Sequence, residues 1–285
     1  MNDKKRGYIY LLCTFPLWGS LYIAAKYALA VVPPVTVLMC RYLLSVVILY
    51  FVLKKKGMRK IEKKDLKYFV IIGGMGYFFS IACQLIGTNL LDASLASLIN
   101  SMNPIFIPIL AFIFLKERIT VRKVISVVVS IAGIYVILGT GSQPLNIYGL
   151  IASMFSVLFW AATSVIIRKV SGRYDPVQIS FVGMLFALCF NIPAAAVELS
   201  MTPFSLNLSA VAALIYMAAA CTALGHTLWN KSLQLLPAST CSMLYPLQPL
   251  TSAVLGVLLL HETISTSFIV GALCICTGII IAVRE

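Results

Sequence analysis

Residues 93–133 recur 145 positions further along the chain. Ala93-Ser94, Ser97, Pro104, Glu117, Ile119 and Gly133 return as Ala238-Ser239, Ser242, Pro249, Glu262, Ile264 and Gly278. At an offset of 142 the preceding segment repeats as well: Gly7, Trp18 and Pro34 match Gly149, Trp160 and Pro176, and Lys26 falls on Arg168. A duplication of this size leads to two similar bundles meeting around a shared axis. It also gives every residue a counterpart against which it can be judged.

Of the 285 residues 61% are hydrophobic and 11% charged, whereas soluble domains carry about 25% charged residues. Lipid must be the solvent of such a chain. Apolar runs of roughly 20 residues, the length that crosses about 30 Å of hydrocarbon as helix, fall near 7–29, 34–53, 66–87, 93–115, 121–139, 147–169, 176–197, 208–230, 237–260 and 266–283. The runs are continuous rather than alternating, which predicts helices and not barrel strands. The expected fold is an all-α integral membrane protein with ten transmembrane helices in two five-helix repeats, residues 1–140 and 147–285, meeting near 141–146.

Basic residues set the expected orientation. With the N-terminus inside, the cytoplasmic face collects Lys4, Lys5 and Arg6, the lysine-rich 54–67 segment, Lys116, Arg118, Arg122, Lys123, Arg168, Lys169, Arg173, Lys231 and Arg284, in all 20 of the 22 Lys and Arg residues. By the positive-inside rule both termini are cytoplasmic. Five helices per repeat is an odd number, so the second copy enters the membrane from the opposite side. Its segment 195–209 corresponds to the lysine-rich loop yet holds no basic residue, and Lys116-Glu117-Arg118 becomes His261-Glu262-Thr263. The net charge of +13 therefore expresses topology and attraction to anionic inner-leaflet lipids; nucleic acid is not an expected partner. The first apolar run is too long for a signal peptide and lacks its cleavage site, and the expected location is the cytoplasmic membrane. The eight cysteines lie inside predicted helices without paired C-x-x-C motifs, so neither disulfides nor a metal site is expected.

Polar residues within the spans are functional candidates, because each costs free energy unless it faces a cavity or a partner. Helix 4 carries Asn100 and Asn103 followed by Pro104 and Pro108; helix 9 carries Tyr245, Pro246, Gln248 and Pro249. The offset pairs Asn100 with Tyr245 and Asn103 with Gln248, all within about 6 Å of mid-span along the helix axes. Two proline-interrupted helices in corresponding places point to a transport site with hinges at the prolines; the alternative is that the amides and prolines only lock helix packing. Trp18 and Trp160 form a second mid-span pair, with Tyr22 and Ser164 at neighbouring turns, suited to stacking on a planar or apolar solute or equally to packing between the repeats. Gln84 and His226 are further mid-membrane polar groups, the latter able to titrate. Arg41 and Lys26 lie outside the inner face and are expected in the outer half. Lys26 can snorkel to the interface; Arg41 either attracts an anionic solute group or holds helix-end carbonyls at an outer gate.

No Asp or Glu lies in the middle third of any span, which disfavours exchange of protons for organic cations on a buried carboxylate. Glu117 and Glu262 read as matched helix-end residues that bond the bundle or cap its gates. Gly139-Thr-Gly-Ser is not a phosphate loop, since no strand precedes it and no lysine follows. Without a carboxylate pair, a His/Cys cluster or a nucleophile elbow, the chain is not read as an enzyme, and no cofactor is expected.

Trp18-Gly19, Pro34 with Arg41, Ala93-Ser94 leading to Pro104 and Leu-Lys-Glu-Arg at 115–118, the stretch Leu228-Trp229-Asn230-Lys231-Ser232-Leu233, and Pro249 to Leu260-His261-Glu262 together resemble EamA-type members of the drug/metabolite transporter superfamily, over essentially the whole chain. The resemblance implies two inverted EamA repeats, with helices 1, 3, 4, 6, 8 and 9 around a central cavity and helices 5 and 10 at the periphery. It implies a carrier of a small solute, more often an exporter. An amino acid or related polar metabolite, bound by Asn100, Asn103, Gln248, Tyr245 and the two tryptophans, is the expected substrate, in a monomer or homodimer. A lipid-translocating protein or a membrane-embedded enzyme acting on lipid-linked substrates is the alternative.

Overall fold

The computed structural model describes residues 2–118, 120–139, 146–262 and 265–283. Ile119, Thr263, Ile264, Arg284 and the junction 140–145, with most of the Gly139-Thr-Gly-Ser loop and the expected meeting point of the repeats, lie outside the described residues. The described chain is helical throughout. Its rods are α1 (Asp3–Leu29), α2 (Pro34–Lys56), α3 (Lys63–Leu90), α4 (Ala93–Leu115), α5 (Val121–Gly139), α6 (Ile147–Val170), α7 (Pro176–Met201), α8 (Leu208–Leu235), α9 (Ala238–Leu260) and α10 (Thr266–Val283). Eight of them, α1–α4 and α6–α9, count among the described residues as long and apolar enough to cross a membrane. α5 and α10 are apolar helices that pack on one another. Large apolar side chains such as Phe112, Phe114, Val254 and Leu258 point outward from α4 and α9, the arrangement expected when the surroundings are lipid.

Several rods outrun their apolar cores. α2 continues through Lys54, Lys55 and Lys56, and α8 continues past Asn230 to Leu235, because backbone hydrogen bonding persists into the interfacial layer after hydropathy has ended. Asn230 is tolerated inside α8 because its amide donates to Ser180 Oγ at 2.8 Å and Tyr77 Oη at 3.2 Å.

The rods pair across the repeats. α1 packs on α8 and α9, α6 packs correspondingly on α3 and α4, and α2 packs on α7. Matched irregularities follow the same symmetry. The chain widens into π-helix at Ile72–Ser80 in α3 and at Met217–Leu224 in α8, starting 145 residues apart. α4 breaks at 101–102, between Ala93–Asn100 and Asn103–Leu115, and α9 breaks at 243–246, between Ala238–Ser242 and Leu247–Leu260. Pro104 sits at the start of the second half of α4, and Pro246 directly precedes that of α9. Proline fits there because the first N–H groups of a helix lack intrahelical partners.

Each broken helix ends on a non-glycine residue in the left-handed region, Lys116 at φ 58° and His261 at φ 55°. This cap turns the chain so that the next residue, Glu117 or Glu262, reaches the other repeat. Glu117 accepts hydrogen bonds from the N–H groups of Ala238 and Ser239 at 3.0 and 3.1 Å and from Ser239 Oγ at 2.8 Å. Glu262 accepts from the N–H groups of Ala93 and Ser94 at 2.9 and 3.4 Å and from Ser94 Oγ. Thus α4 and α9 lie antiparallel, and each supplies the anion that the positive N-terminus of the other attracts. α2 and α7 repeat the device: Glu198 accepts from the N–H groups of Val35 and Thr36 at the start of α2, while Lys56 at its end binds Asp175, the N-cap of α7.

One end of the bundle gathers basic segments. Lys56 meets Asp175 there, Arg173 binds the buried Asp65 at 2.7 Å, and Arg168 donates to the carbonyls of Leu233 and Gln234 beside Glu117. Lys26 lies near the opposite end, within the field of Asp92 and Glu262.

Candidate functional site

The breaks in α4 and α9 meet the middles of α1, α2, α3, α6 and α8 at one small cavity of about 30 Å³, room for one or two waters. Trp18, Leu21, Arg41, Ser80, Ile81, Gln84, Asn100, Asn103, Ser156, Trp160, His226, Tyr245 and Gln248 line it. Of the residues proposed from sequence as binding groups, Trp18, Gln84, Asn100, Asn103, Trp160, His226, Tyr245 and Gln248 are therefore brought together. Tyr22 stands one layer behind, its hydroxyl accepting from the amides of Gln84 at 2.6 Å and Gln248 at 3.0 Å. Ser164 is buried and donates to the Trp160 carbonyl at 2.8 Å; it supports the α6 backbone and does not line the cavity.

Of the two roles expected for Arg41, attracting an anionic solute group or holding helix-end carbonyls, its contacts do not show the second: it is fully buried in the cavity wall, where Nε and Nη2 both donate to the Thr222 hydroxyl at 3.2 and 2.9 Å. The reason is the π-helical turn of α8, which brings Thr222 toward α2. Lys26, by contrast, is half-buried near the end of α1 and touches no part of the cavity.

The widened turns also free carbonyls for side-chain donors, a role π-helical segments often serve at functional sites. Trp18 Nε1 donates to the Cys221 carbonyl at 3.1 Å, and Ser45 Oγ to that of Ala218 at 2.8 Å. His226 Nδ1 lies 3.1 Å from the Thr222 carbonyl. A carbonyl can only accept, so Nδ1 carries the proton and Nε2 is left as the free ring nitrogen.

Aromatic rings close around the cavity. Trp18 and Trp160 meet edge to face with centroids 5.5 Å apart, Trp160 Nε1 donates to Tyr245 Oη, and Tyr77 stacks on Trp160 at 6.1 Å. Trp229, fully buried, contacts Phe15, Trp18 and Tyr245 at 6.0, 5.5 and 5.5 Å. Polar groups interleave: Ser156 Oγ donates to Asn100 Oδ1 at 3.0 Å, and Asn103 Nδ2 to the Asn100 carbonyl at 2.7 Å, freed where the helix breaks. Three buried polar atoms on lining residues have no protein partner: Arg41 Nη1, Asn103 Oδ1 and His226 Nε2. A buried unpaired polar group costs about 1–3 kcal/mol, and these three face one cavity, where a polar guest can pair with them.

Ser80, Ile81, Ser156, Leu21, Trp229 and Thr222 were not proposed as site residues from sequence. The repeat offset would have found some of them: Ile81 is the counterpart of His226, Trp229 of Gln84 and Thr222 of Tyr77. Among the described residues no group of three His, Cys, Asp or Glu side chains could hold a metal ion.

The sequence model of the EamA-like transporter family matches twice, over residues 5–139 and again over 147–284. The chain belongs to the EamA-like transporter family. An uncharacterized transporter of Archaeoglobus fulgidus is 27% identical over 98% of this chain and 99% of its own. The uncharacterized transporter YetK of Bacillus subtilis is 24% identical over 99% of this chain and 88% of its own. A protein crystal structure superposes with a TM-score of 0.77 at 17% identity, covering 99% of this chain and 96% of that one, and so shares the fold. This EamA protein is a multi-pass membrane transporter of the drug/metabolite transporter type, and its central cavity lies where the two matched segments face each other.

Proposed function

We propose that the protein moves a small polar metabolite, an amino acid or a related solute, by alternating access around this cavity, and that it works as an exporter. The carrying observation is the set of three unpartnered buried polar atoms within an aromatic enclosure at the paired helix breaks. A cavity of about 30 Å³ cannot hold an amino acid, so the conformation is a closed one and the walls must separate to load. α4 and α9 are the elements suited to that motion: each is interrupted near its middle, where Pro104, Pro108, Pro246 and Pro249 limit backbone hydrogen bonding, and each end is pinned by its partner's glutamate. In this function ten spans lie in the cytoplasmic membrane as two inverted repeats, residues 1–140 and 147–285, α5 and α10 completing them. Both termini then face the cytoplasm, with the basic end against anionic lipid.

Reconstitution tests this. Purified protein in liposomes should exchange labelled small metabolites across the bilayer, and Asn103→Ala or Gln248→Ala should each weaken half-saturation roughly three- to tenfold, the effect of one lost hydrogen bond to a bound solute. Wild-type transport in both variants would remove the cavity from the solute path.

A further inference from the structure

We infer that the solute taken by this cavity is an organic monoanion: a carboxylate, carried on an apolar or aromatic body, that docks on Arg41. The inference rests on the cavity being the transport site and goes beyond it by assigning the charge of what passes. Arg41 is the one formally charged side chain in the cavity wall. It is fully buried, it makes no ion pair and no ring contact among the described residues, and its two hydrogen bonds converge on a single neutral hydroxyl, leaving Nη1 without a partner. A guanidinium does not shed its proton, and an isolated buried charge costs several kcal/mol.

Among the described residues, no acid lies in the cavity wall to neutralise it. Asp3, Glu62, Asp65 and Asp175 pair with Arg6, Lys64, Arg173 and Lys56. Glu117, Glu198 and Glu262 are spent on the N-termini of α9, α2 and α4, and Asp92 is exposed at the start of α4, beside Lys26 and outside the cavity wall. The fixed charge inside the wall is therefore +1, and a guest bearing one negative charge neutralises it. A cation meets repulsion there with no carboxylate to answer it.

The broken symmetry of the duplication gives the guest a direction. At the offset of 142 the counterpart of Arg41 is Gly183, and at the offset of 145 the counterpart of Thr222 is Tyr77. In one half Arg41 reaches over the small Thr222; in the other, Gly183 leaves room for the Tyr77 ring, which a Cβ would meet at 2.8 Å. The α2/α8 wall thus carries a cation and the corresponding α7/α3 wall an aromatic face, Tyr77 stacked on Trp160. The carboxylate belongs at the α2/α8 wall and the apolar body against Trp18, Trp160 and Tyr245, a planar fork matched to a planar anion.

All three tryptophans of the chain, Trp18, Trp160 and Trp229, sit at this site, so quenching of intrinsic fluorescence reports occupancy. Purified wild-type protein is titrated with 3-phenylpropanoate, its neutral amide, 3-phenylpropylamine and zwitterionic phenylalanine. The carboxylate should bind roughly ten- to hundredfold more tightly than the amide, the range for one charge-assisted hydrogen-bonded contact, and the amine should not bind. Arg41→Gln should reduce the preference for carboxylate over amide to about twofold or less, while Arg41→Lys, which keeps the charge, should retain most of it. Because the wild-type comparison needs no variant, poor folding of Arg41→Gln leaves the test intact. Equal or tighter binding of the amide or the amine, or quenching by none of the four, overturns the charge assignment. Counterflow in liposomes separates the two readings: saturable movement of the amine or zwitterion without the carboxylate defeats the charge assignment alone, whereas tight binding of the carboxylate with no probe crossing defeats the transport role.

Discussion

Glu117→Ala and Glu262→Ala should each lower stability by about 2–4 kcal/mol, and the double variant should lose close to the sum. Each carboxylate collects two backbone N–H groups and a serine hydroxyl at a helix start, and its removal leaves those donors facing a low-dielectric medium with no replacement. The sites lie at opposite ends of the antiparallel pair α4 and α9 and share no partner, so additivity is the physical expectation. A loss of about 4–8 kcal/mol approaches the whole stability of an ordinary domain. Thermal unfolding of detergent-purified protein measures it. If one single variant matched wild type while the other collapsed, the two clasps would not be equivalent. Glu→Gln versions keep the shape and one acceptor but lose the charge, and should fall between.

Gly73→Val should prevent assembly of the bundle. A Cβ at this position would lie 2.4 Å from Phe186 Cβ, 2.7 Å from the Gly183 carbonyl oxygen and 2.9 Å from the Ala187 nitrogen. Two of those three atoms are backbone of α7, which cannot rotate away as a flexible side chain would; α3 and α7 must separate. Overpacking of this kind costs about 1–3 kcal/mol when neighbours yield and more when they do not, and here the displaced helices carry Tyr77 and the π-helical turn. Gly172→Ala, where a Cβ would meet nothing within 4 Å, is the matched control. Expression and monodispersity in detergent report the result: wild-type behaviour of Gly73→Val would mean that α3 and α7 are not held at this distance.

Much of this was legible because membrane helices announce themselves locally. Uninterrupted apolar runs bounded by charge located the rods to within a few residues, and the largest misses were the start of α1 and the ends of α7 and α8, where helix continues beyond the hydrophobic run. The offset of 145 identified Asn100 with Tyr245 and Asn103 with Gln248 as mates before any contact was known, and all four line the cavity. The π-helical turns escaped notice, since Ile72–Ser80 and Met217–Leu224 have nothing in hydropathy that separates them from ordinary helix. Arg41 was recognised as costly, but its partner was not legible, because it is a hydroxyl on a helix 181 residues away.

The sequence by itself determined the class of fold, the positions of the helices, the doubling and the pairing of mates, because each is written in local composition or in self-similarity. Only the tertiary structure decided that Glu117 and Glu262 serve the opposite repeat, across separations of 121 and 169 residues. It alone decided too that Arg41 stands uncompensated in the cavity wall. Both are matters of which distant groups finally meet in a medium that offers no water to replace a missing partner, and no local pattern records them.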